Sequence, residues 1–173
     1  MLFLTEPALE YRERYLEALR EIQGEGLRLF EDLRSISADF AAFIQRLQDE
    51  KNRAKIALDR VPAFTFWLID KREFIGWLSL RHELNEYLFK IAGHIGYMIR
   101  PSKRRRGYGN EILRLGLLEA KKLGLRRVLL TCDEDNTGSK KIIELNGGRF
   151  ENMVEVQDSS VKKIRYWIDI PCK

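Results

Sequence analysis

The sequence predicts a mixed α/β fold, with helices flanking a mostly antiparallel sheet, and three observations point to it. The hydrophobic pattern is helical before Ala63 and alternates with a period of about two after it. Helical and strand-like segments then interleave, with no internal repeat and no low-complexity linker. Finally, 173 residues that are 45% hydrophobic and 33% charged are enough for one well-filled core and few for two, so residues 1–173 are read as a single domain.

A short apolar strand, Leu2 to Leu4, comes first. Pro7 then opens a helix in which Tyr11, Tyr15, Ala18, Leu19 and Ile22 share a face, and Gly24 and Gly26 end it. Ser37 is the expected N-cap of a second helix, because Phe40, Phe43, Ile44 and Leu47 follow at helical spacing. "AFTFWLID" and "EFIGWLSLR" alternate and are rich in aromatic and branched residues, so they form a hairpin about Lys71 and Arg72. "LNEYLFKIAG" reads equally as a helical turn or a loop, and "GHIGYMIRP" as a third strand stopped by Pro101.

Gly107 to Leu123 is the clearest helix, with Leu113, Gly116, Leu117 and Ala120 on one stripe and Gly124 as its stop. "RRVLLTC" is a continuous apolar run suited to a strand buried on both faces beside a strand it parallels. A helix from Gly138 to Leu145 follows. "RFENMVEV" and "VKKIRYWIDI" close the chain as two strands about a turn at Asp158 to Ser160. The edge of "KIRYWIDI" is one that a second copy could use to form a homodimer.

Composition narrows the function classes. A net charge of +5 favours anionic partners, but both signs are spread along the chain. Cys132 and Cys172 match no metal-ligand spacing and give no disulfide framework, so free thiols in a reducing cytoplasm are expected, with no metal. "MLFLTEPALE" lacks the basic lead of a signal peptide, and no window approaches the ~18 apolar residues of a membrane span. A cytoplasmic protein without membrane partners is the expectation.

The densest chemistry lies in "RPSKRRRGYGNEILRL", which starts at Arg100. A strand ending at Pro101, a basic loop and a helix opening near Gly107 put free N–H groups and the positive end of a helix dipole in one place, which is a phosphate site. Gly107 and Gly109 let a diphosphate approach the main chain, and Arg104, Arg105 and Arg106 add charge-assisted contacts. A nucleoside-triphosphate P-loop is excluded, since no G-x-x-x-x-G-K-[ST] occurs. The dinucleotide fingerprint fails as well, because Ile112 stands at its third glycine. Arginine and aromatic residues interleave as in some RNA sites, yet no RNA-binding motif accompanies them, so no nucleic-acid partner is expected.

The extended frame is more specific. Ile99, Pro101, Arg104, Gly107 and Gly109 resemble the acyl-coenzyme A signature of the GNAT acetyltransferase superfamily, whose loop reads Arg or Gln, two residues of any kind, Gly, any residue, then Gly or Ala. "NTGSKKIIELNGG" is similar to that family's stretch of Asn, two residues, Ala or Ser, and a helix closing on Gly. The likeness spans nearly the whole chain in element order, and "GHIGYMIRPSKRRRGYG" with "CDEDNTGSKKIIELNGG" is similar to a bacterial subgroup of these enzymes.

The resemblance implies a central pair of parallel strands that splay, the first of them bulged, with a slot between them for the pantetheine arm. Backbone groups of Met98, Ile99 and Arg100 would line the slot, and one N–H there would polarise the thioester carbonyl. Amides from Arg104 to Asn110, Tyr108 included, would hold the pyrophosphate, and Asn136 and Ser139 would meet the arm or its thiol end. It also implies acetyl-coenzyme A as cosubstrate, with direct transfer to a primary amine of a small molecule or peptide.

An alkyl ammonium of pKa about 10 must lose a proton before it attacks. His94 is the better histidine for that role, beside the alternatives Glu83, Asp133 and Glu134. Many family members protonate the leaving thiolate with a tyrosine in the last helix. Here that position is Ile143, which leaves Tyr97, Tyr108 or Tyr166 as substitutes, or no acid at all. A noncatalytic acyl-coenzyme A sensor is therefore the alternative function. Trp67, Trp77 and Trp167 read either as packing or as ligand-stacking residues.

Overall fold

A computed structural model of the chain describes residues 1–157 and 159–171. Strand β1 (Leu2–Thr5) leads through a short turn to helix α1 (Arg12–Gln23), followed by α2 (Leu33–Ala38) and α3 (Phe40–Asp49). Aspartates start the second and third helices. Asp32 accepts hydrogen bonds from the amides of Arg34 and Ser35, and Asp39 accepts one from Ala42. The expected cap, Ser37, lies inside α2 instead. The short helix before Phe40 has no repeating apolar stripe long enough to betray it in the sequence.

Strands β2 (Ala63–Asp70) and β3 (Glu73–Arg81) form the expected hairpin. Lys71 and Arg72 both take positive φ, 48° and 68°, which gives the turn the twist that a two-residue hairpin connection favours. The ambiguous "LNEYLFKIAG" contains a wide helical turn, Leu88–Ala92, and β4 (Ile95–Ile99) follows it. The remaining elements are α4 (Tyr108–Lys122), β5 (Arg127–Asp133), α5 (Thr137–Leu145), β6 (Arg149–Val154) and β7 (Lys163–Asp169). Asp158, in the expected last turn, lies outside the described residues, as does Cys172.

The strands divide into two sheets. One is four-stranded in the order β1-β2-β3-β4, the other three-stranded in the order β5-β7-β6. Every ladder between these strands is antiparallel. The expected parallel partners β4 and β5 are thus the facing edges of separate sheets, and among the described residues no ladder joins them. They meet at one antiparallel bridge, Gly93 with Leu130. There the amide of His94 donates to Leu129 O at 2.7 Å, the amide of Leu129 donates to His94 Nδ1 at 2.9 Å, and Thr131 Oγ1 donates to Ile91 O at 2.6 Å. Beyond this junction the strands part.

The expected bulge in β4 is not found. Its register against β3 runs unbroken from Leu80–Ile95 to Gly76–Ile99, and the irregularity lies between β2 and β3, at Leu68 and Ile69.

Two cores sit on opposite faces of the four-stranded sheet. One joins Leu68, Ile75, Leu78 and Leu80 to Ile112 and Leu113 of α4, Ile143 of α5, and the inner residues of β5 and β7. The other joins Trp67, Ile69, Phe74 and Trp77 to α1, α2 and α3. Trp67 and Trp77 are therefore packing residues. Trp67 stacks on Tyr15 with centroids 4.9 Å apart, and Trp77 underlies the Arg28 guanidinium at 4.3 Å. Cys132 is a buried free cysteine. No helix among the described residues is long and apolar enough to cross a membrane.

Candidate active site

The parting of β4 from β5 creates the site. Hydrogen bonding alternates along an antiparallel pair. The Arg81 amide donates to His94 O and the Arg100 amide to Ile75 O, each at 2.9 Å, so Gly96, Met98 and Arg100 direct their main-chain groups at β3. Ile95, Tyr97 and Ile99 direct theirs into the gap. Of the backbone groups expected to line a slot, those of Ile99 do so, Tyr97 joins them, and those of Met98 and Arg100 are turned toward the sheet. The Ile99 carbonyl is already held by Arg104 Nε at 3.1 Å, while its N–H remains available.

The Arg100 side chain is buried and serves to fasten elements together. It pairs with Glu21 of α1 and donates to Phe74 O at 3.3 Å. Ser102 adds its amide to Glu21 at 3.1 Å and its hydroxyl at 3.0 Å. The Arg100 hydrogen bond, reinforced by Ser102, lowers the Glu21 carboxyl to about 2. Arg104 is likewise engaged, forking onto Glu25 at 2.9 and 2.7 Å.

After a tight turn at Pro101–Lys103, the chain reaches the N-terminus of α4. The Arg104 amide donates to Pro101 O and the Asn110 amide to Gly107 O. Between them the amides of Arg105, Arg106, Gly107, Tyr108 and Gly109 find no acceptor among the described residues. Gly107 is the N-cap at φ 82°, and a Cβ there would meet nothing within 4 Å. The run of unpartnered N–H groups thus opens on free space at the positive end of a helix dipole, with Arg105 and Arg106 exposed beside it. Donors, charge and open approach fit a diphosphate.

Gly109 contributes differently. A Cβ there would lie 2.5 Å from Ile142 Cδ1, so glycine at this position lets α5 pack against α4. Asn110 also ties the two helices, its Oδ1 accepting from Asn146 Nδ2 at 2.9 Å.

A cleft of about 410 Å³ leads from this loop into the gap and is lined by Tyr97, Met98, Ile99, Arg104, Arg105, Gly109, Asn136, Ser139 and, beyond expectation, Leu27, Gly138 and Ile142. A second opening of about 180 Å³ lies where β4, β5 and α5 meet, with Cys132, Asp133, Ile143 and Lys163 in its wall; it shares Tyr97, Asn136 and Ser139 with the first. The Asn136 side chain caps α5 by accepting from the Ser139 amide at 3.0 Å. Burial pushes the Cys132 thiol up to about 11, which keeps it neutral.

Of the histidines, His94 is buried outside both openings. Its Nδ1 is spent on Leu129 and burial lowers its pKa, so the structure gives it the role of a pin between the sheets. Asp133 lines the smaller opening, in an ion pair with Lys163 at 2.5 Å. Glu134 accepts from the Lys162 amide at 3.0 Å, and Glu83 lines neither opening. Sequence reasoning missed Glu21 and Glu25, which meet the basic loop only through tertiary folding. The signal for Leu27 was also faint: it is one of three apolar residues, with Leu29 and Phe30, in a connection with no helical or strand period.

Among solved structures, the chain is similar to Mycobacterium smegmatis RimJ in complex with CoA-disulfide, at 18% identity and TM-score 0.72 over 97% of this chain and 81% of that one. It is similar to a Salmonella typhimurium acetyl transferase described as modifying the N-terminal serine of ribosomal protein L7/L12, at 17% identity and TM-score 0.70 over 98% and 95%. A third is the microcin C7 self-immunity acetyltransferase MccE in complex with acetyl-CoA and AMP, at 17% identity and TM-score 0.69 over 98% and 92%. No curated protein sequence matches the chain. Residues 19–149, well over half the chain, match the model of the acetyltransferase (GNAT) domain, and on that match, with the fold agreeing, the chain belongs to the GNAT acetyltransferase family.

Proposed function

We propose that this protein transfers an acetyl group from acetyl-coenzyme A to a primary amine by direct attack, with both substrates bound together. The observation that carries the reading is the run of unpartnered amides from Arg105 to Gly109, open to solvent and continuous with the cleft beside Ile99. Those amides and Arg105 would hold the diphosphate, and Ile99 and Tyr97 would offer outward N–H groups to the pantetheine arm. An N–H of that edge would also stabilise negative charge on the carbonyl oxygen during attack. Asn136 and Ser139 would flank the thiol end. When bound, acetyl-coenzyme A supplies an activated thioester.

The second opening, on the far side of Tyr97, gives an amine room to approach, which favours catalysis over a sensor that only binds. Its wall holds both Asp133 and Lys163, and the acceptor panel should therefore include amines with and without a nearby carboxylate. The Salmonella neighbour's modification of an N-terminal serine supports adding a peptide that begins with serine.

The test is calorimetric titration of acetyl-coenzyme A together with free-thiol release across polyamines, amino acids and peptides. Binding with turnover on some member is expected. Binding without turnover across the panel would favour the sensor, and absence of binding would overturn the reading.

A further inference from the structure

We propose that the acceptor is a small α-amino acid, held as a zwitterion by Asp133 and Lys163. The inference rests on the transfer reaction proposed above and names the substrate class of its second opening.

Asp133 ends β5 and Lys163 begins β7, and they are the two charged side chains among the residues lining that opening. They face each other across the β5–β7 ladder, with Nζ 2.5 Å from Oδ1. The ladder fixes their spacing. Neither side chain has a further hydrogen-bond or ion-pair partner among the described residues, and at 42% and 25% exposure Asp133 and Lys163 are both within reach of a ligand. An ammonium carries three donors and a carboxylate several acceptor sites, so one mutual contact leaves both with unused capacity. Polar groups close by are already committed. Thr131 donates to Ile91 O at 2.6 Å, and the Glu134 carboxylate accepts from the Lys162 amide at 3.0 Å.

A wall with one charge of each sign selects a ligand by its dipole. A polyamine brings a second positive charge against Lys163, and a peptide amino terminus offers Lys163 only a carbonyl. An α-amino acid answers both groups. Its nitrogen and carboxyl carbon lie about 2.5 Å apart by ordinary bond lengths, which matches the span of the pair. It therefore docks head to tail, ammonium on Asp133 and carboxylate on Lys163, and four charges alternate in sign. The opening is about 180 Å³ against about 410 Å³ for the cleft, which suits a small acceptor. Both spaces share Tyr97, Asn136 and Ser139, so the acceptor nitrogen lies toward the thiol end of the bound cosubstrate. The ammonium still loses a proton before attack, as any amine acceptor must.

Free-thiol release at saturating acetyl-coenzyme A tests the assignment, with glycine, alanine or serine set against the matching carboxamide, a diamine and a peptide that begins with serine. The acid is expected to exceed its amide in kcat/KM by about tenfold or more. The amide keeps more of its nitrogen unprotonated at neutral pH, so intrinsic reactivity works against that outcome. Lys163→Met should shrink the preference to about twofold or less, chiefly through KM, with acetyl-coenzyme A affinity within about twofold of the native value by calorimetry. Asp133→Lys combined with Lys163→Asp keeps an ion pair across the ladder but reverses its direction. That variant should hold Tm within about 2 °C and lose the preference. Equal kcat/KM for acid and amide in the native protein overturns the proposal, as does a preference that survives either variant. Turnover confined to the diamine or the peptide also overturns it, and leaves the transferase reading standing. If the protein binds no acetyl-coenzyme A, or binds it without acetylating any amine, the transferase reading falls and the proposal with it.

Discussion

Gly107 and Gly109 sit two residues apart at the start of α4, one as its N-cap and one in its first turn, and the reasons for each are different. At Gly107 the backbone is left-handed, at φ 82°, and the space beyond it is open, so a side chain strains the turn and blocks the approach to the amides without striking the protein. Gly107→Ala should cost about 1 kcal/mol of stability and leave measurable binding. Gly107→Glu should show a similar stability loss in denaturant titration but lose acetyl-coenzyme A binding by calorimetry, since it sets a carboxylate where phosphate must lie. Unchanged affinity in Gly107→Glu refutes the cradle. Gly109→Glu is a poor probe of the cradle, although the sequence gives both glycines the same role, because its first carbon already collides with Ile142. Gly109→Val should instead destabilise by about 1–3 kcal/mol, with Ile142→Ala on the same chain recovering part of the loss. Arg104 lies in the loop that leads to α4, with its charge already claimed by Glu25. Glu25→Gln frees that guanidinium and removes a repelling carboxylate, so acetyl-coenzyme A should bind several-fold tighter at low salt, with the gain shrinking as salt is added. Equal affinities at low salt would mean that Glu25 does not compete with phosphate.

At the scale of elements, α1 holds the basic loop in place. Glu21 gathers Arg100 and Ser102, and Glu25 one turn on gathers Arg104, so the C-terminal end of α1 is stitched to the connection between β4 and α4. Glu21 is depressed to about 2 in the native state from an ordinary value of 4.5. Its contribution is therefore complete above about pH 4.5 and is lost as pH falls toward 2. Glu21→Gln should cost about 2–3 kcal/mol at neutral pH, since it leaves the buried Arg100 short of a partner. The gap between the two unfolding curves should close on acidification through that window; a gap that stays constant to pH 2 would show that the pair does not titrate with folding. None of this stitching was legible in the sequence, because seventy-nine positions separate Arg100 from Glu21 and no local pattern links them. What was legible is local. Alternation placed β2 and β3, and the Leu113–Ala120 stripe placed α4. The same local rules misplaced the start of α3, where Asp39 caps the helix and Ser37 does not.

At the scale of the whole molecule, the site depends on two sheets that meet at one corner and diverge. The sequence carried the strands themselves and the basic loop between them. It did not carry the pairing, because a buried apolar run such as "VLLTC" can take a neighbour on either edge, and here β7 takes one while the gap takes the other. The corner is His94, whose ring nitrogen accepts from Leu129 while its own amide donates back to the same residue. Burial, aided by the charge of Arg81, lowers its pKa from the ordinary 6.5, so the native state holds the ring neutral. Below about pH 6.5 the unfolded chain takes up a proton that the native corner refuses. Stability from this site is thus full above that pH and falls on acidification through the depressed native value. Protonation would also turn Nδ1 from acceptor into donor, facing the Leu129 N–H, and so prise β4 from β5 at the point that sets the cleft's width. His94→Gln keeps an acceptor in the corner and cannot charge. Urea unfolding from pH 8 to 5 should therefore show a steeper loss of stability for the native protein than for His94→Gln, with acetyl-coenzyme A affinity declining over the same range only in the native protein. Parallel curves would mean that the corner is held by packing alone and that the cleft is indifferent to the charge on His94.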